Sequence, residues 1–132
     1  MSTFDISKFS KPLHKTSRYE RYLASLRAKS FHTSNIESTV EECVQNIAEH
    51  GSRAFVIYGE PQSGKTQMMI GLTARLLDEG VRIVVVLLND NVQLLKQNLS
   101  RFQESGLDPT ARSFEEILAP EIDLGSKEWV IF

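Results

Sequence analysis

Apolar and aromatic residues fall along this chain in two patterns, a helical spacing and short unbroken runs, and the two alternate. From Ser17 to Lys29 the residues Tyr19, Tyr22, Leu23 and Leu26 recur at intervals of three and four, which predicts a helix. Ser34 with Glu37 three residues later reads as a capping box at the start of a second helix. Its apolar stripe is Ile36, Val40, Cys43, Val44 and Ile47, and Gly51 is a fitting stop. Ala54-Phe55-Val56-Ile57-Tyr58 is a compact β-rich run, predicted as a buried strand. Thr66 to Glu79 returns to helical spacing through Met69, Leu72, Thr73 and Leu76, with Gly80 closing it. Val81 to Leu88 is nearly continuous in apolar residues, as expected for a parallel strand covered on both faces. Asn89 or Asp90 then caps a helix carrying Val92, Leu95, Leu99 and Phe102 on one face, as far as Gly106. Asp108-Pro109 marks a turn, Ser113 and Glu116 repeat the capping box before a short helix that ends ahead of Pro120, and Glu128 to Phe132 forms a last strand.

Strands alternating with helices predict the α/β class, a parallel sheet with right-handed crossovers and helices on its flanks. No internal repeat is visible. Residues 1–15 follow no period, so the division expected is a basic N-terminal extension with one helix over 1–33 and an α/β domain portion over 34–132. The run Trp129-Val130-Ile131-Phe132 has the character of a central strand, with no turn or helix behind it. An open strand edge of that kind needs cover. The sequence is therefore expected to be the N-terminal portion of a longer protein, breaking off after its third strand.

Composition narrows the class. Across 132 residues, 41% apolar and 24% charged are ordinary globular values. The net charge of −2 conceals an asymmetry: residues 1–30 hold Lys8, Lys11, Lys15, Arg18, Arg21, Arg27 and Lys29 against Asp5 and Glu20. That arm carries +5, which leaves −7 for the rest of the −2 chain. A basic arm on an acidic body fits a solvated leader, and also a contact with nucleic acid or an acidic partner. Cys43 is the single cysteine, so an intrachain disulfide or a thiolate zinc cluster is excluded. No apolar run approaches the roughly 20 residues of a membrane span. A cytoplasmic, reducing setting is the expectation.

The chemistry lies between the first run and the following helix, in Gly59-Glu60-Pro61-Gln62-Ser63-Gly64-Lys65-Thr66. This is the phosphate-binding P-loop pattern, and it stands where the pattern requires, after a predicted strand and at the opening of a predicted helix. Its glycines let main-chain N–H groups approach phosphates closely, and the helix start adds free N–H groups and a positive dipole end. Lys65 is the expected catalytic residue, reaching the β- and γ-phosphates, and the Thr66 hydroxyl is placed to ligate Mg²⁺. Hydrolysis also needs an acid near the metal. Asp90, at the end of the second apolar run, fits either that role or the cap of the next helix. His14, His32 and His50 have no ligand-like spacing, and Tyr19, Tyr22 and Phe31 fit either helix packing or stacking on a base.

From about Ile36 to Phe132 the chain resembles the first part of the first motor domain of a superfamily 2 helicase-like ATPase, closest to the DEAD-like ATPases of bacterial restriction and defence systems. The residues that carry this are the P-loop Gly59 to Thr66, Met69-Ile70 and Leu72, then Val84-Val85-Val86-Leu87, Asn89-Asp90-Asn91 and Leu94 to Gln97. The resemblance implies a RecA-like P-loop NTPase fold, ATP and Mg²⁺ as ligands, and DNA or RNA as partner, with Asn89 and Asn91 as contacts to the nucleic-acid backbone. It also implies that the metal-binding acid and the second motor domain lie beyond Phe132, so that this portion binds nucleotide without hydrolysing it. Three other readings fit the P-loop: a RecA/DnaB-like ATPase with Asp90 near the catalytic position, a small-molecule kinase, and a non-catalytic nucleotide-binding module.

Overall fold

The computed structural model describes residues 17–51, 53–60, 64–89 and 91–132. Expectations that fall on Lys8, Lys11, His14, Lys15, Pro61, Gln62, Ser63 and Asp90 lie outside the described residues.

Arg18–Ala28 forms α1, with Ser17 as its cap accepting the Glu20 N–H at 3.1 Å. A carboxylate from outside the helix adds to this cap. Asp78, the last residue of the helix Lys65–Asp78 (α3), accepts the N–H groups of Arg18 and Tyr19 at 3.2 and 3.0 Å. A negative charge at the positive end of the α1 dipole thus ties the two helices together. Tyr19, Tyr22, Leu23 and Leu26 are all buried, the face predicted by their spacing. For the tyrosines, core packing is what the structure favours.

Ser34–Ala48 forms α2, but its cap is Thr33, one residue ahead of the expected Ser34. The capping box is not made. Arg27 intervenes instead: its Nε donates to Thr33 Oγ1 at 3.1 Å and its Nη2 to Glu37 Oε1 at 3.0 Å, while Thr33 Oγ1 donates to Glu37 Oε2 at 2.9 Å. The Glu37 carboxylate is more strongly held by a cation and a hydroxyl than by one backbone N–H. The α2 stripe buries Ile36, Val40 and Cys43, and its end at Ile47 stays exposed. Helix α3 packs against both α1 and α2. At Gly71 the approach is so close that a Cβ would stand 3.1 Å from Ile36 Cγ2, which explains a glycine inside a helix.

Among the described residues two strands form where three were expected. Ile83–Val85 (β1) and Trp129–Ile131 (β2) pair in parallel, Ile83 opposite Trp129 and Val85 opposite Ile131. Arg82 O and Val86 N extend the ladder by one bond each way, to Trp129 N at 2.7 Å and Ile131 O at 2.8 Å. The second edge of β2 is also satisfied, by Arg112, whose N–H donates to Val130 O at 2.9 Å and whose carbonyl accepts from Phe132 N at 2.8 Å. With both edges paired, Trp129, Val130 and Ile131 are buried throughout.

The predicted strand Val81 to Leu88 shrinks to three residues, and cover on both faces is absent: Val85 and Leu87 are exposed. Ala54–Tyr58 is not a strand, because among the described residues no backbone pairs with it. Its side chains still alternate with the period of a pleated chain. Phe55 and Ile57 are 38% and 40% exposed, whereas Val56 and Tyr58 are 92% and 89% exposed. One side of the run is partly covered and the other lies open.

Val92–Glu104 forms α4, capped by Asn91, whose side chain accepts the Leu94 N–H at 3.1 Å. The expected caps, Asn89 or Asp90, were one or two residues early. Phe114–Ile117 forms the short α5, with Ser113 as cap. The Ser113 hydroxyl accepts from Glu115 N–H at 3.3 Å, and Glu116 lies 4.0 Å from Arg112. The core joins α1, α2 and α3 to α4 and β2. Val40, Ala74, Phe102 and Val130 are fully enclosed in it, and the rings of Phe102 and Phe132 meet edge to face with centroids 4.8 Å apart.

Candidate nucleotide-binding site

The sequence Gly64-Lys65-Thr66 opens α3, and its local conformation follows from the residue types. Gly64 takes the helix-cap position with φ 83° and ψ 31°, in the left-handed region where a glycine carries no Cβ penalty. That twist delivers Lys65 and Thr66 into the first helical turn. The N–H groups of such a turn have no partner within the helix, and they coincide with the positive end of the dipole.

This helix start forms part of a cleft of about 1050 Å³. One wall is the end of α1 and the segment after it, with Tyr22, Lys29, Phe31 and His32. The other is the last turn of α4, with Arg101 and Glu104, followed by Gly106. The cleft is of the size that accepts a nucleotide-sized ligand. Among the described lining residues Lys29, Lys65 and Arg101 face it against the one acid Glu104, an excess of positive charge that suits a polyphosphate. Burial pushes the Tyr22 phenol up to about 12, so this tyrosine serves as a neutral wall and not as an acid or base. Burial likewise raises the Cys43 thiol, and the neighbouring Glu42 adds to the shift. That holds it in the inert thiol form.

The structure brings together three of the eight P-loop residues at this cleft: Gly64, Lys65 and Thr66. Gly59 and Glu60 close the irregular segment 53–60 and do not line the cleft, and Pro61, Gln62 and Ser63 lie outside the described residues. Lys65 is exposed. Thr66 is half-buried, and its hydroxyl meets α4: Oγ1 donates to Asn98 Oδ1 at 3.1 Å, and Arg101 Nη1 lies 3.4 Å from the same oxygen. Neither Asn98 nor Arg101 is singled out by the sequence motif. The available signal was Asn98 itself, a polar residue set among Leu95, Leu99 and Phe102 on the apolar stripe of its helix. Phe31, left open between packing and stacking, and His32, which has no ligand-like spacing and is exposed, both stand on the cleft wall, and Phe31 is 47% exposed there. His50 is exposed and takes no part.

Mg²⁺ fits this donor set. The ion demands few protein ligands, keeps several waters and takes oxygens from the substrate phosphates. A lone hydroxyl beside a phosphate-sized opening matches that requirement. No cluster of three or more His, Cys, Asp or Glu occurs among the described residues, so a closed protein cage for a resident metal is not formed there. Among the described residues no helix is long and apolar enough to cross a membrane.

Residues 27–131 match a protein-family model described as the type III restriction enzyme res subunit. No curated protein and no solved structure matches the chain.

Proposed function

The chain belongs to the type III restriction enzyme res-subunit family, DEAD-like superfamily 2 helicase motors of the restriction type, and on that premise we propose that it is the ATP–magnesium-binding part of a nucleic-acid-dependent ATPase. The family is one of P-loop, RecA-like, helicase-like ATPases that act on nucleic acid and use ATP with Mg²⁺. Within that class, residues 34–132 are assigned to the motor domain and residues 1–33 to a basic extension that contributes α1 to the cleft wall. The eight P-loop residues Gly59 to Thr66 are assigned to the phosphates, Lys65 to the β- and γ-phosphates in particular, and Thr66 to Mg²⁺. DNA or RNA is the assigned partner, in a cytoplasmic setting.

The observation that carries this reading is the juxtaposition at the start of α3: a left-handed Gly64, an exposed Lys65 and a half-buried Thr66 hydroxyl, all opening on one electropositive cleft. The ion, when bound with ATP, neutralises charge on the phosphates. The chain's residues do the rest of the binding. Lys65 supplies a point charge on a flexible stem, the α3 N-terminus supplies N–H donors, and α1 and α4 supply the two walls of the cleft.

Hydrolysis calls for a metal-side acid and a group that orients water. In this reading neither is furnished by the described residues of the cleft, among which the one acid, Glu104, shares the α4 wall with Arg101. Phosphate release from ATP by the 132-residue chain is therefore expected to stay at the buffer background, with or without single-stranded DNA, duplex DNA or RNA. A labelled oligonucleotide is expected to bind, with an affinity that falls as salt rises. Turnover by this chain alone would contradict the binding-only assignment, and no oligonucleotide binding at low salt would count against the nucleic-acid partner.

A further inference from the structure

Asn98 is the one polar side chain that the α4 stripe buries, at 7% exposure. Burying an amide costs free energy unless its groups are paired, and asparagine is also a poor residue for a helix interior. Here both ends of the amide are engaged. Nδ2 donates to Leu94 O at 2.9 Å, and Oδ1 accepts from Thr66 Oγ1 at 3.1 Å. The first bond fixes the second: with the NH₂ group committed to a carbonyl one turn back, the amide oxygen must face Thr66. A flipped amide would put oxygen against oxygen at Leu94.

We propose that Asn98 is a positioning residue for the magnesium-binding hydroxyl of Thr66, acting across the contact between α4 and α3; this rests on the nucleotide–magnesium reading given above. A threonine that ligates a cation gives the metal an oxygen lone pair and keeps its proton, which then needs an acceptor. Asn98 Oδ1 is that acceptor. By holding the proton it leaves the lone pairs of Thr66 Oγ1 to accept, and it fixes the side-chain rotamer before the ion arrives. Arg101 Nη1 donates to Thr66 Oγ1 at 3.4 Å, a long and therefore weak contact that the ion has to displace. Partners that orient a metal ligand in this way typically alter metal affinity by 10–100-fold when removed.

The test uses a fluorescent ATP analogue titrated into the 132-residue chain, at rising Mg²⁺ and separately in excess EDTA. For Asn98→Leu, of similar volume but with no acceptor, the Mg²⁺ concentration at half-effect is expected to rise about tenfold or more. Affinity in EDTA should change less than about twofold, since the phosphate donors at the α3 start are untouched. Asn98→Asp loses the bond to Leu94 O and meets that carbonyl with an oxygen, but either carboxylate oxygen can accept the Thr66 proton and its charge favours the ion, so its Mg²⁺ dependence is expected to be at least as strong as that of the wild type. In a Thr66→Ala background, Asn98→Leu should have no further effect on Mg²⁺ dependence, an outcome that a packing role would not produce. Should Asn98→Leu fail to fold, Asn98→Asp decides: a folded protein with a tenfold loss of Mg²⁺ response overturns the proposal. So does a folded Asn98→Leu whose Mg²⁺ response is unchanged, or one that loses binding equally in EDTA. If the unmodified chain binds ATP no better with Mg²⁺ than in EDTA, the magnesium reading itself is wrong and the role of Asn98 falls with it.

Discussion

Lys65→Ala is expected to weaken ATP binding by the 132-residue chain by roughly 10–100-fold while leaving the fold in place. The size follows from what the side chain does. Hydrogen bonds to a charged group are worth about 1.5–3 kcal/mol each, and about 1.4 kcal/mol corresponds to a factor of ten. Lys65 stands in the first turn of α3 with its side chain exposed to the cleft, so no core contact is lost with it. Substitutions at exposed positions usually change stability by less than about 0.5 kcal/mol. The two readouts are separable: nucleotide affinity falls and the thermal midpoint stays. Equal affinity for Lys65→Ala and wild type would show that the phosphates sit elsewhere.

The largest loss of stability is expected for Phe102→Ala, at about 3–5 kcal/mol. Phe102 is fully buried on α4 and packs edge to face on Phe132, with an interplanar angle of 75°. It joins the helix to the end of β2, so truncation leaves a cavity where two elements meet and removes an aromatic pair as well. A loss of this size is a large part of the stability of a small domain. The effect is also expected to reach the site. Asn98 lies one helical turn before Phe102, and a loosened α4 no longer holds Asn98 Oδ1 at 3.1 Å from the Thr66 hydroxyl. Denaturant unfolding of the variant measures the first effect, and its Mg²⁺ dependence the second. A loss under about 1 kcal/mol would mean that the contact between α4 and β2 is not what anchors the helix.

The helices were legible in the sequence because their cause is local. Tyr19, Tyr22, Leu23 and Leu26 form one face whatever they pack against, and α1 runs close to its predicted span. Caps were less legible, because neighbours compete for them. Glu37 is taken by Arg27 and the Thr33 hydroxyl, so the box at Ser34 never closes. Strands were the least legible, because a strand depends on a partner. Trp129–Ile131 has one on each edge, and Ala54–Tyr58 has none among the described residues despite four β-favouring residues of its own.

The site divides along the same line. Gly64, Lys65 and Thr66 are contiguous, and their chemistry reads directly from the motif. The contacts of Thr66 with Asn98 and Arg101 span 32 and 35 residues and exist because two helices cross. No spacing rule contains them. The cleft wall from α1 is similar: Lys29, Phe31 and His32 reach the P-loop helix through tertiary packing, and the sequence marked only their residue types.

The central claim is that the cleft at the start of α3 binds ATP together with magnesium. Isothermal titration of the 132-residue chain with ATP, once with Mg²⁺ and once with EDTA, tests it most directly. The account predicts saturable binding at one site per chain, tighter with Mg²⁺ than without. Absence of saturable binding, or binding of equal strength in EDTA, would contradict it.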